Sequence, residues 1–214
     1  MAINEFGQPS CIERVRRSSA CGRTSVIEFI ETDHWKLLAT AKRFLLAADV
    51  LRRSDEYKRS KIPVTPTLHL TAHGIKMLLK ANLIGFGLTL GDLRRAYGHD
   101  IWSLWNHNAN HALRDEACSM ARMAWSRAQN DPSWSDSFDG QPEKLLVEYL
   151  RRLSDLHTNE TEYALRYVAA REMTGPRPHL LIDTFLPVAD LCIRQPHVLL
   201  PWSSAASGTF PTLP

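Results

Sequence analysis

The chain is short of the features that usually announce a function. Cysteine is scarce: Cys11, Cys21, Cys118 and Cys192 are the four in 214 residues, and no two form a CxxC pair. That argues against a disulfide scaffold and a cysteine-based zinc ribbon, and free thiols are expected. No apolar run reaches the roughly 18 residues of a membrane-spanning helix. The first 30 residues hold no apolar stretch of signal-peptide length, so a cytoplasmic protein is expected. Neither sign of charge dominates, with 26 Lys and Arg against 23 Asp and Glu and a net charge of +3. That balance is compatible with nucleic-acid binding without indicating it. The Walker, HExxH and GxSxG patterns are missing. Gly85-Phe-Gly87-Leu-Thr-Leu-Gly91 is spaced GxGxxxG and follows a helical stretch, so it is no dinucleotide fingerprint.

What is present is ordinary globular composition, 44% hydrophobic and 23% charged. The length suits one domain with appendages. Residues 1–25 read as a flexible basic leader, 26–202 as the helical domain and 203–214 as a flexible tail. Inside the domain apolar residues recur at three-to-four spacing. Phe29, Trp35, Leu38, Ala41, Leu45, Ala48 and Leu51 predict a helix over 26–53. Residues 54–65 read as a basic loop. A second helix is expected from about Pro66, with Leu70, His73, Met77, Leu78, Ala81 and Ile84 along one face and Gly85 and Gly87 ending it. Thr89–Asp92 can open a short helical turn. A third long element follows Gly98-His99-Asp100 as far as Gln129, with a kink or break at Asn106–Asn110. Pro142 starts another helix, and a last one spans Pro178–Arg194 with a bend at Pro187. No segment alternates as a strand does. The predicted fold class is all-α, a bundle of four to five main helices.

Several residues invite a chemical reading. His69/His73 and His107/His111 are spaced to share a helix face, as metal ligands would, but each pair needs a further ligand from another element. Otherwise they are core or solvated histidines. Trp35, Trp102, Trp105 and Trp125 fall on apolar faces and read as core, with base stacking as the alternative. The charged stretch Arg52–Lys61 reads as solvated surface, with phosphate contact as the alternative.

One combination is more specific. Leu79-Lys80-Ala81 is followed at a short distance by Gly98-His99-Asp100-Ile101, and Ala41…Leu45-Leu-Ala-Ala48 precedes both. Together with Leu165-Arg166-Tyr167 this resembles the HEPN domain family, over roughly residues 30–170. The resemblance implies an all-α, HEPN-like bundle that dimerises and binds RNA or a nucleotide. Lys80, Arg166 and Tyr167 lie in the matching segments and are the candidate RNA contacts. By the same resemblance His99 and Asp100 are structural, with Asp100 a helix cap.

Many HEPN proteins are metal-independent ribonucleases with an Arg and a His four to six residues apart. Arg151, Arg152 and His157 fit that spacing. An imidazole with a pKa of about 6.5 can take the proton of a ribose 2′-hydroxyl, and a guanidinium can hold the phosphoryl oxygens. The polar residue that usually follows the arginine is missing, since Arg152 and Leu153 stand there. On one helix Arg152 and His157 lie about 140° apart. A composite site therefore needs a two-fold partner, and a homodimer with its interface near residues 145–167 is expected. The activity so implied needs no metal or cofactor. The rival readings are a catalytically inactive HEPN-like interaction module, of the toxin–antitoxin partner type, and a metal-binding bundle built on the histidine pairs.

Overall fold

The computed structural model describes residues 32–60, 62–131, 138–157 and 175–195. Among them are eight α-helices, one 3₁₀ turn and no strand. The chain is all-α. We number the helices α1 (Asp33–Arg53), α2 (Asp55–Arg59), α3 (Val64–Gly85), α4 (Leu90–Tyr97), α5 (Ile101–Asn106), α6 (His111–Gln129), α7 (Pro142–Asp155) and α8 (Pro178–Arg194). Five are long, α1, α3, α6, α7 and α8. The leader, the tail, Cys11, Cys21, Arg166 and Tyr167 lie outside the described residues.

Local chemistry sets most boundaries. Thr32 caps α1 by accepting from the Trp35 amide at 3.3 Å. Thr89 and Asp92 close a capping box on α4. Pro142 and Pro178 open α7 and α8, where a missing N–H costs nothing. Asn106–Asn110 breaks the third element into α5 and α6. Asn82 holds the break from α3, donating to the Ala109 carbonyl at 2.9 Å and to Asn110 Oδ1 at 2.8 Å.

Two expectations need correcting. The basic loop contains α2, because Ser54 accepts from the Tyr57 amide and starts a fresh turn. The buried side of α3 is broader than the predicted face and only overlaps it. Leu78 and Ala81 of that face are buried, but so are Leu68, Ala72, Ile75, Leu79 and Leu83, whereas Leu70, His73, Met77 and Ile84 are only partly so. Being central, α3 is covered by several neighbours, and its apolar residues leave the buried face ambiguous.

α1 and α3 form the most extensive helix pair. Gly74 permits it, since a Cβ there would stand 2.7 Å from Leu45 Cγ and 3.1 Å from the Ala41 carbonyl oxygen. α8 closes the core against α1 and α6, with Phe185 fully buried and edge-on to Trp105 at 6.0 Å.

The Gly98-His99-Asp100 turn ties α3, α5 and α7 together. Gly98 ends α4 at φ +46°, a backbone that favours glycine. Lys80 donates to the Gly98 carbonyl at 2.8 Å, and Lys76 lies 3.0 Å from His99 Nδ1. Asp100 caps α5, accepting from the Ser103 amide at 2.9 Å and from Ser154 Oγ at 3.2 Å. Burial opposes its charge, but these bonds prevail and hold its pKa below the usual value. Asp100→Ala is expected to cost about 1 kcal/mol, read from urea unfolding. Full stability in the variant would mean that the cap contributes nothing.

Candidate functional site

The resemblance-derived residues sit in different surroundings. Arg151 and Arg152 are exposed on α7, and Arg152 pairs with Glu148 at 2.9 Å. His157, just past the end of α7, is only 4% exposed, and its ring lies 6.1 Å from that of His69. His69 continues the row to His73 at 6.4 Å, and His73 to Phe44 at 4.3 Å. The row thus draws on α1, α3 and the segment after α7. Lys80 is engaged with the Gly98 turn, and burial, then Arg94, lowers its pKa. His107 Nδ1 accepts from the Ala109 amide, and His111 pairs with Asp115 at 3.3 Å on the surface. Among the described residues, no group of three or more His, Cys, Asp or Glu side chains is placed to hold a metal ion. No helix among them is long and apolar enough to cross a membrane. Cys192 is buried in the core, and burial pushes its thiol up to about 12.

A concavity lies elsewhere, between the C-terminal ends of α1 and α6 and the N-terminal half of α8. It holds about 750 Å³. Arg52 stands in its wall with a side chain only 7% exposed. Its place follows from the α1 pattern: Leu38, Ala41, Leu45 and Ala48 are buried, and the next position on that stripe is Arg52. A buried guanidinium needs partners. Asp49, one turn back, accepts from Arg52 Nε at 2.8 Å and lies 2.6 Å from Nη2. Asp183 of α8 takes the other edge, accepting from Nη1 at 3.1 Å and from Nη2. Nη1 also lies 3.4 Å from His179 Nδ1, which therefore accepts. Burial works against the Arg52 charge, but Asp183 and Asp49 outweigh it and raise its pKa.

Arg53, Lys58 and Arg127 are exposed at the rim. Arg53 also reaches Asp49, at 3.0 Å, whereas the Arg127 side chain makes no ion pair with a described residue. Four cationic side chains thus line the cleft against three carboxylates, those of Asp49, Asp131 and Asp183. A narrow slot of about 60 Å³ adjoins it and shares Ala124, Ala128, His179 and Asp183 with it. Trp125, Phe138 and Tyr149 wall the slot, and the first two rings meet edge-on at 5.0 Å. A cationic rim beside an aromatic slot can hold an anion that carries an apolar ring.

In the sequence, phosphate contact by Arg52–Lys61 is only the lesser alternative, and nothing local singles out Asp49, Arg127, His179 or Asp183. One signal was available. A charged residue at the next core position of an apolar stripe demands buried partners, and Arg52 is such a residue.

Two histidines make the fold sensitive to acid. Burial, ahead of the Ala81 carbonyl that accepts from its ring, lowers the His34 pKa. Burial, then Arg52, lowers that of His179. Both bind protons more readily unfolded, so their contribution is full above about pH 6.5 and is lost as pH falls below it. The urea midpoint is expected to drop between pH 7 and pH 5.5, before carboxylates titrate. A flat profile over that range would contradict the burial of both rings.

Comparison of the chain with protein-family models, with curated proteins and with solved structures finds no match.

Proposed function

We propose that this chain is a HEPN-like protein that binds RNA or a free nucleotide, seated in the cleft between α1, α6 and α8. The observation that carries the reading is the wall itself: a guanidinium fixed in position, three further cations at the rim and an aromatic slot alongside. Phosphates call for the first and bases for the second. In this reading the protein works in the cytoplasm as a homodimer joined near residues 145–167. The partner's copy of α7 then brings a second arginine pair toward His157 for metal-independent cleavage.

The burial of His157 favours a second reading. An imidazole 4% exposed meets a 2′-hydroxyl only after its surroundings move. On that reading the chain is a catalytically inactive HEPN-like module, a binding partner of the toxin–antitoxin type.

One set of measurements separates them. Fluorescein-labelled single-stranded RNA is titrated with the protein at two salt concentrations, with EDTA present, and the RNA is then checked for cleavage. Salt-sensitive binding is expected. Cleavage that survives EDTA and is lost in His157→Ala assigns the nuclease. Binding with intact RNA assigns the inactive module. Failure to bind either the RNA or ATP rejects the ligand reading. Light scattering tests the dimer, and a strict monomer would remove the composite site.

A further inference from the structure

The geometry points to Asp183 as the carboxylate that an incoming anion must displace, and to the Arg52 edge it covers as the seat of a terminal phosphate. This rests on the ligand reading above. Arg52 has carboxylates on both sides, Asp49 across Nε and Nη2, Asp183 across Nη1 and Nη2. Arg53 also pairs with Asp49, so the cluster is balanced and both edges of the Arg52 guanidinium are occupied. An incoming anion reaches Arg52 only if one carboxylate leaves.

Asp49 is poorly placed to go. Its side chain is 12% exposed, it sits on the same helix as Arg52, and it also holds Arg53. Asp183 is placed to go. Its side chain is 35% exposed, and every hydrogen bond its carboxylate makes among the described residues runs to Arg52. Pro187, four positions on, has no N–H for the Asp183 carbonyl, so this turn of α8 lacks one of its bonds. A side-chain rotation takes Asp183 into the water of the cleft and frees the outer edge of the guanidinium.

The exchange discriminates by charge. A phosphodiester carries one negative charge, as Asp183 does, and gains nothing by replacing it. A phosphomonoester carries close to two near neutral pH and offers three acceptor oxygens to the freed edge. The ligand class is therefore a nucleotide or RNA end that bears a terminal phosphate, rather than an internal RNA linkage.

The test is calorimetry with AMP, a phosphomonoester, against 3′,5′-cyclic AMP, a diester with the same base. The wild-type protein is expected to bind AMP about tenfold tighter or more. In Asp183→Asn both nucleotides should bind about tenfold tighter or more, because neither has to displace a carboxylate, while the preference for AMP, which belongs to Arg52, should persist. Asp183→Ser serves the same purpose if the asparagine variant does not fold. Equal affinities in the wild type, or no gain in affinity in the variant, overturn the assignment of Asp183 and leave the ligand reading in place. Failure of both nucleotides to bind either protein overturns it as well, and the ligand reading then stands or falls on the RNA and ATP titrations.

Discussion

Replacing Arg52 by methionine is expected to destabilise the fold by about 3 kcal/mol. Methionine fills much of the same volume, so packing is largely kept. What is lost is the partner of two carboxylates. Asp49 is left nearly buried with Arg53 alone, and Asp183 loses the hydrogen bonds that join α8 to α1. Adding Asp183→Leu should return part of the loss, because it removes one of the stranded charges. Urea unfolding of the three proteins checks this. A single variant as stable as the wild type would mean that the trio is held by nothing stronger than a surface ion pair. The same variant should also lose any preference for AMP over cyclic AMP, which separates the guanidinium's chemistry from its packing.

The second large effect is expected at Phe185. It is fully buried on α8 and meets Trp105 of α5 edge-on. Phe185→Ala should cost about 4 kcal/mol, the lost transfer free energy plus the cavity left among rigid helices. Phe185→Leu should cost less than half as much, since it restores most of the volume. Because α8 carries both His179 and Asp183, Phe185→Ala should also weaken ligand binding without touching the cleft. A loss below about 1 kcal/mol would be too small for a full core position.

How far the sequence could be read depended on how local the cause was. Pro142 and Pro178 mark helix starts through their own ring geometry, and both starts were legible, whereas the start of α1 at its Thr32 cap was not, because the apolar spacing carried the expected helix on from residue 26. The break at Asn106–Asn110 was legible too, because asparagines compete for backbone bonds. α2 was missed although Ser54-Asp55-Glu56 is a fair capping sequence, because basic residues and Pro63 made the stretch look like a loop. The face of α3 was legible only in part, at Leu78 and Ala81, for a different reason: several neighbours cover the helix, and periodicity fixes a face only when one side meets water. The cleft was the least legible part. Arg52 and Asp183 are 131 residues apart, and no local spacing joins α1 to α8. Arg151, Arg152 and His157 showed the opposite difficulty. They are close in sequence, yet the structure leaves both arginines on the surface and buries the histidine.

The central claim is that the α1–α6–α8 cleft, rather than diffuse positive charge, holds the ligand. The most direct measurement compares RNA affinity in two triple variants that lose the same charge. Arg53→Ala/Lys58→Ala/Arg127→Ala strips the rim, while Arg43→Ala/Arg94→Ala/Arg95→Ala removes three exposed arginines outside it. Fluorescence anisotropy across a salt series gives both the affinity and its slope. The account predicts that the rim variant loses at least about tenfold and that its slope on log salt falls by roughly 2, as three fewer phosphate contacts require. The control variant should stay within about threefold of the wild type. Equal losses in the two variants, or a larger loss in the control, would contradict the cleft as the binding seat.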